Sequence, residues 1–104
     1  MAIENIKQEE LDSKLSKGLK LVDLWAPWCG SCKMISPSVD ALSKEYKDEL
    51  DILKIDIDEE EGITEKLDVM SIPTLILFKD GKEVSRLTGF KPKEVIEKMI
   101  VEHK

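Results

Sequence analysis

The run Leu19-Lys20-Leu21-Val22-Asp23-Leu24-Trp25-Ala26 constrains this chain most. Its composition is that of a strand, and it is apolar on both faces. Such a segment must be covered from both sides, which predicts a central strand inside a sheet flanked by helices. Pro27 and Gly30 then bracket a turn. Beyond the turn, Ile35, Val39, Leu42 and Tyr46 recur at helical spacing, so a long helix follows, starting between Cys29 and Cys32. Pro37 lies inside it and predicts a kink, because proline lacks an N–H and crowds the preceding turn.

The remaining segments extend the same alternation. Glu9–Ser16 predicts a short helix with Leu11 and Leu15 four apart, ended by Gly18. Asp51–Asp58 reads as a strand, with Ile52, Lys54, Asp56 and Asp58 alternating against Leu53, Ile55 and Ile57. The acidic residues Asp58–Glu61 suit the positive end of a short helix running to about Leu67. Thr74–Lys79 and Glu83–Thr88 are two strands joined across Asp80-Gly81, a strong hairpin signal. Pro92–Glu102 predicts a closing helix carrying Val95, Ile96, Met99 and Ile100, and a short strand is expected around Ala2–Ile6. The expected class is α/β: one domain over residues 1–104, a mixed sheet with parallel crossovers first and an antiparallel hairpin last.

Composition narrows the function. The 104 residues carry a formal charge of −6 with lysine and glutamate interspersed, which argues against nucleic acid or an anionic membrane as partner. No stretch approaches the roughly 20 apolar residues that span a bilayer. The N-terminal residues lack the charged-then-apolar layout of a signal peptide, so a cytoplasmic location is expected. Stable structural disulfides are rare there. Both cysteines nevertheless fall in one motif, Trp28-Cys29-Gly30-Ser31-Cys32-Lys33, which points to redox or metal chemistry.

A thiolate at a helix N-terminus meets unpaired N–H groups and the positive end of the dipole, and both lower its pKa from about 8.5. Cys29, on the loop side, is expected to be the exposed attacking thiol. Cys32, in the first helical turn, is the shielded resolving thiol. A structural staple is the weaker alternative, since so short a loop constrains the unfolded chain little. A zinc site needs further ligands, and the sole histidine, His103, reads as a solvated tail residue.

Three features converge on this dithiol. Asp23 sits in an apolar strand where a carboxylate is costly to bury. It is either a hydrogen-bonded structural group or, with a raised pKa, a proton acceptor for Cys32 through water. Lys54, on the neighbouring strand, either modulates that charge or is simply solvated. Ser71-Ile72-Pro73-Thr74 places a proline ahead of an apolar strand; a cis bond there offers the Ile72 backbone to an extended peptide, and the sequence leaves cis and trans open. Trp28 is expected to shield the thiol and touch substrate, with Trp25 as the core tryptophan.

These residues together resemble the thioredoxin family, over nearly the whole chain. Val22-Asp23-Leu24-Trp25-Ala26 resembles its buried-aspartate strand, Lys33-Met34-Ile35-Ser36-Pro37 its second helix, and Ile72-Pro73-Thr74-Leu75 its cis-proline loop. Phe78-Lys79-Asp80-Gly81 resembles its hairpin and Gly89 its groove glycine. The resemblance implies a thioredoxin fold: a central five-stranded mixed sheet flanked by four helices. It implies a protein-disulfide reductase with no bound cofactor and a redox-active Cys29–Cys32 disulfide. A thioredoxin reductase and disulfide-containing target proteins are the implied partners, and a monomer is expected. The implied groove comprises Trp28, Gly30, Ser31, Ile72, Pro73, Thr88, Gly89 and Phe90. A disulfide oxidase or isomerase and a redox-inactive docking module are the competing functions.

One residue departs from the family's usual Gly-Pro between the cysteines. Ser31 restores a backbone N–H and adds a hydroxyl near the Cys29 sulfur. Stabilising the thiolate favours the reduced form and makes the couple more oxidising. One hydrogen bond of about 0.5–1.5 kcal/mol corresponds to roughly 10–30 mV. The expected potential lies that far above the family's usual value of about −270 mV.

Overall fold

The computed structural model describes residues 3–104. Strand β1 spans Ile3–Asn5, and Ala2, which the sequence places with it, lies outside the described residues. A 3-10 turn at Gln8–Glu10 passes into α1 at Leu11–Leu15. Then come β2 (Leu19–Trp25), α2 (Gly30–Glu45), β3 (Leu50–Asp56), α3 (Ile63–Lys66), β4 (Thr74–Lys79), β5 (Lys82–Thr88) and α4 (Lys93–His103). The strands form one sheet in the order β1-β3-β2-β4-β5. β1 and β2 run parallel to β3, whereas β4 is antiparallel to β2 and β5 to β4. The doubly apolar strand is therefore central, and the α/β mixed sheet with four helices is the expected one.

Period-two alternation divides the core into two layers. Leu19 and Leu21 of β2, with Leu50, Ile52, Leu75 and Leu77, meet Ile35, Val39 and Leu42 of α2 and Ile96, Met99 and Ile100 of α4. On the other face Val22, Leu24, Leu53, Ile55, Ile76 and Phe78 pack against Leu11, Leu15 and Ile63. Asp23 shares the face of Leu19 and Leu21 and so lies beneath α2. On α2 itself, Cys32, Ile35, Val39 and Leu42 are spaced three, four and three apart and form one buried stripe. That stripe continues through Pro37, where the helix remains unbroken. Truncating Leu42, which is fully buried, to alanine costs about 2–5 kcal/mol.

The hairpin turn has Asp80 at φ 50° and Gly81 at φ 87°, the pair of left-handed residues a two-residue turn requires. Its tip is pinned to the α1–β2 loop: Gly18 N–H donates to Asp80 Oδ1 at 2.8 Å, and Asp80 N–H to the Gly18 carbonyl at 3.0 Å. Between Leu77 and Phe78 the register shifts, with Ser85 opposite Leu77 and Glu83 opposite Phe78, so Val84 is the extra residue of a bulge.

Four expectations are corrected. α1 begins at Leu11, because Glu10 Oε1 takes the Lys7 N–H and holds the preceding residues in a 3-10 turn. β3 starts at Leu50 and ends at Asp56, where the Asp56 carboxylate accepts the Asp58 N–H and turns the chain out. α3 is a single turn that begins at Ile63, behind Gly62 at φ 86°, and the acidic residues do not cap it. Glu60 accepts the Gln8 N–H at 2.8 Å instead. Val95 points outward on α4, one position off the buried Ile96, Met99 and Ile100 stripe.

Candidate active site

Cys29 has an extended backbone (φ −84°, ψ 109°) and is the N-cap of α2. Its sulfur accepts the Cys32 N–H at 3.1 Å, a side chain satisfying one of the open donors of the first helical turn. Cys29 and Cys32 are joined as a disulfide with Cα atoms 5.3 Å apart. Both are buried, at 5% and 6% exposure, so the expected contrast between an exposed and a shielded cysteine is absent in this oxidised form. The reason is packing: with Ala26 they form a small apolar cluster against Trp25, Ile57 and Ile72.

Ser31 is half-buried with its hydroxyl 3.6 Å from the Cys29 sulfur. The backbone N–H on that sulfur belongs to Cys32, not to Ser31, which corrects one half of the expectation. Gly30 is exposed, and a Cβ there would meet nothing within 4 Å, so local packing does not demand glycine.

Behind Cys32 lies a cavity of about 110 Å³ walled by Asp23, Trp25, Ala26, Cys32, Lys33, Ser36 and Lys54. Asp23 is 2% exposed, and among the described residues its Oδ1 has no hydrogen-bond partner; neither does Trp25 Nε1. Burial pushes the Asp23 carboxyl up to about 6, the Lys54 charge pulls it down, and Asp40 adds to the rise. Lys54 is the register partner of Asp23 across the parallel β2–β3 pair. Its ammonium stands 5.3 Å from the centre of the Trp25 ring, in cation–π range. Trp25 is accordingly half-buried at the strand end and belongs to the cysteine cluster, not to either main core layer.

In front of the disulfide Trp28 is 67% exposed, and its Nε1 donates to Asp58 Oδ2 at 2.8 Å. With Ile57, Thr64, Val69, Met70, Ser71 and Ile72 it lines an open cavity of about 370 Å³. The Ile72–Pro73 bond is cis, which answers the question the sequence left open. The Pro73 carbonyl accepts the Gly89 N–H at 2.8 Å, with Gly89 at φ 83°, and the Ser71 carbonyl accepts the Thr74 hydroxyl at 2.7 Å.

The structure thus gathers Cys29, Cys32, Ser31, Asp23, Lys54 and Ile72 around one disulfide, with Trp28 beside Ile57 and Ile72 in the front cavity and Pro73 next to Ile72 in the chain. Thr88 instead lines an adjoining cavity with Arg86, Glu83 and Asp68, which shares Val69 and Met70 with the front one, and Phe90 is exposed just beyond Gly89. Sequence reasoning missed Asp58, Ile57, Val69 and Met70, the last being 97% exposed. Only Met70 carried a signal, a large apolar residue directly ahead of Ser71-Ile72-Pro73. His103 is half-buried with Nδ1 2.8 Å from the Met99 carbonyl on its own helix, which corrects the solvated tail.

The family model of thioredoxin matches residues 2–102. Curated thioredoxins of Staphylococcus epidermidis and Staphylococcus aureus are each 48% identical over 103 residues, covering 99% of this chain and 99% of theirs. The chain belongs to the thioredoxin family. Membership and the paired cysteines make it a thiol–disulfide oxidoreductase that reduces disulfides. Thioredoxins as a family work with a thioredoxin reductase and with disulfide-bearing targets. Among the described residues no helix is long and apolar enough to cross a membrane, and no group of three or more His, Cys, Asp or Glu is placed to hold a metal ion.

Proposed function

We propose that the whole chain, residues 1–104, acts as one cytoplasmic reductase domain in which Cys29 attacks and Cys32 resolves. The reduced Cys29 thiolate attacks one sulfur of a target disulfide; an S–S bond forms between Cys29 and the target, and the other target sulfur leaves as a thiolate. Cys32 gives its proton to the Asp23 carboxylate, and the Cys32 thiolate then attacks the Cys29 sulfur. The second target thiolate departs, the target has gained two electrons, and the cysteine pair is left as the disulfide.

The observation that carries this assignment is the asymmetry about the two sulfurs. Cys29 caps α2, where the Cys32 N–H and the helix dipole stabilise a thiolate. Cys32 shares the 110 Å³ cavity with Asp23, whose pKa near 6 suits a base working at neutral pH. At about 30 Å³ each, that space admits roughly three to four waters, enough for a relay.

On the substrate side, Trp28, Gly30, Ile72 and Pro73, continued by Thr88, Gly89 and Phe90, receive an extended target segment. The Ile72 backbone is the edge it pairs with, and Lys54 and Ser31 tune Asp23 and Cys29. No cofactor is required beyond the Cys29–Cys32 pair, and a thioredoxin reductase returns the oxidised form to the dithiol. The protein works as a monomer, and its charge of −6 fits neither nucleic acid nor an anionic membrane.

Mixing Cys32→Ser with insulin should trap a mixed disulfide through Cys29, visible as a covalent adduct by mass spectrometry. An adduct formed by Cys29→Ser and not by Cys32→Ser would reverse the two roles.

A further inference from the structure

The segment Leu67–Ile72 supplies most of the front cavity, yet the helix leading into it, α3, is one turn long. The following residues cap it through the backbone, with the Leu67, Asp68 and Val69 N–H groups donating to the Ile63, Glu65 and Thr64 carbonyls. The carbonyls of Leu67 and Asp68, just past the helix, are taken by a side chain from the far edge of the sheet. Arg86 of β5 donates from Nη2 to the Leu67 carbonyl and from Nη1 to the Asp68 carbonyl, each at 3.0 Å. The same guanidinium is gripped from the other side by Glu83, Nε to Oε2 at 2.6 Å and Nη2 to Oε1 at 2.7 Å. Asp68 has φ 56°, a left-handed conformation uncommon for aspartate, at the point where Arg86 binds its carbonyl.

The bulge at Val84 makes this fork possible. On a regular strand, residues three apart point to opposite faces. The extra residue restores parity, so that Glu83 opposite Phe78 and Arg86 opposite Ile76 share a face, the one α3 covers. At the other end of the segment the Thr74 hydroxyl holds the Ser71 carbonyl at 2.7 Å. Between the two anchors Val69 packs against the core with its N–H on the Thr64 carbonyl at 2.8 Å, and Met70 is exposed.

We propose that Arg86, oriented by Glu83, is a positioning residue for substrate: it fixes the Leu67–Ile72 segment so that Met70 and the Ile72 backbone meet an incoming target in one geometry. Arg86 touches neither the disulfide nor the residues assigned to proton transfer, so its effect falls on recognition of a protein target and not on sulfur chemistry. A planar fork is required to bind two carbonyls and a carboxylate at once, which a lysine ammonium cannot reproduce. The inference rests on the reading of Ile72 as the substrate edge.

The test is steady-state reduction of insulin with dithiothreitol as electron donor, run beside reduction of hydroxyethyl disulfide, which is too small to need the edge. Arg86→Gln and Glu83→Gln should each raise KM for insulin, Arg86→Gln by roughly 3- to 10-fold. kcat, the redox potential and the rate on hydroxyethyl disulfide should stay unchanged. Arg86→Lys should not restore the wild-type KM. Amide hydrogen exchange should quicken at Val69 and Met70 in both glutamine variants.

An unchanged KM in Arg86→Gln overturns the proposal, as does an equal loss on both substrates, which would mark a merely structural role. A peptide disulfide N-methylated beside its cysteine, which cannot hydrogen-bond to a main-chain edge, separates the two levels. If methylation raises KM with the wild-type protein while Arg86→Gln leaves KM for insulin unchanged, the edge stands and the positioning role falls. If neither raises KM, the edge reading falls with it.

Discussion

Behind Cys32 about 110 Å³ lies between Asp23, Trp25, Lys54 and the first turns of α2, whereas on the Trp28 side about 370 Å³ lies between Trp28, Ile57, Val69, Met70 and Ile72. The rear cavity is walled by secondary structure, β2, β3 and α2, and holds a buried carboxyl with an unpaired oxygen. The front one is walled mostly by loop and by half-buried or exposed apolar side chains. The difference matches two demands. Moving a proton needs a group whose pKa is set by exclusion from water, which only a packed wall provides. Accepting many targets needs apolar surface that is exposed without being rigidly shaped, for which a loop bearing a methionine is suited.

The contrast can be broken most severely at the disulfide, whose Cys32 lines the rear cavity and whose cluster packs against Ile57 and Ile72 of the front one. Cys29→Ser should abolish insulin reduction without altering the fold, read as turnover together with unchanged far-ultraviolet circular dichroism.

Next in size is the rear wall. Asp23→Asn should slow the resolving step on the order of 10²-fold at neutral pH. Wild-type activity should fall as pH drops through about 6, and Asp23→Asn should remove that inflection. The same change should stabilise the protein at neutral pH. The carboxyl titrates near 6 in the folded chain and near 3.9 when unfolded. Its protonated form therefore favours folding fully below about pH 4, and that contribution is lost as pH rises through 6. The gain for asparagine at pH 7 is on the order of 3 kcal/mol, shrinking towards zero near pH 4 in urea titrations. Equal stability at pH 7 would show that Asp23 is not the strained group of the rear cavity.

At the front wall the effect should be smaller. Met70→Ser should raise KM for insulin about 3-fold, as expected for a peripheral apolar contact, and leave stability unchanged because Met70 is 97% exposed. Smallest is Ser31→Pro, which removes the hydroxyl 3.6 Å from the Cys29 sulfur. The potential should fall by roughly 10–30 mV against a glutathione couple. A potential that stays or rises would remove Ser31 from the tuning of Cys29.

Much of this arrangement is legible in the chain. Leu19–Ala26 is apolar on both faces and was bound to be central; the Asp80-Gly81 pair dictates its hairpin; the spacing of Cys32, Ile35, Val39 and Leu42 turns Cys32 inward. These are local or periodic properties, and each follows from a few neighbouring residues. The Asp58–Glu61 run misled for the same reason. Acidic residues suit a helix N-terminus in isolation, but here Asp58 and Glu60 bind Trp28 and Gln8, which are distant in sequence.

The sequence by itself determined the α/β order, the dithiol at a helix start and the aspartate in an apolar strand. Only the tertiary structure decided that both cysteines are buried when oxidised, that Asp23 and Cys32 share one cavity, and that Met70 stands at the front of the site. It also decided that a bulge in β5 turns Glu83 and Arg86 to one face, where they hold the loop that ends at the cis Ile72–Pro73 bond. Periodicity states which face of its own element a side chain takes. What that face meets depends on strand order and register, and those are set by packing across the whole sheet.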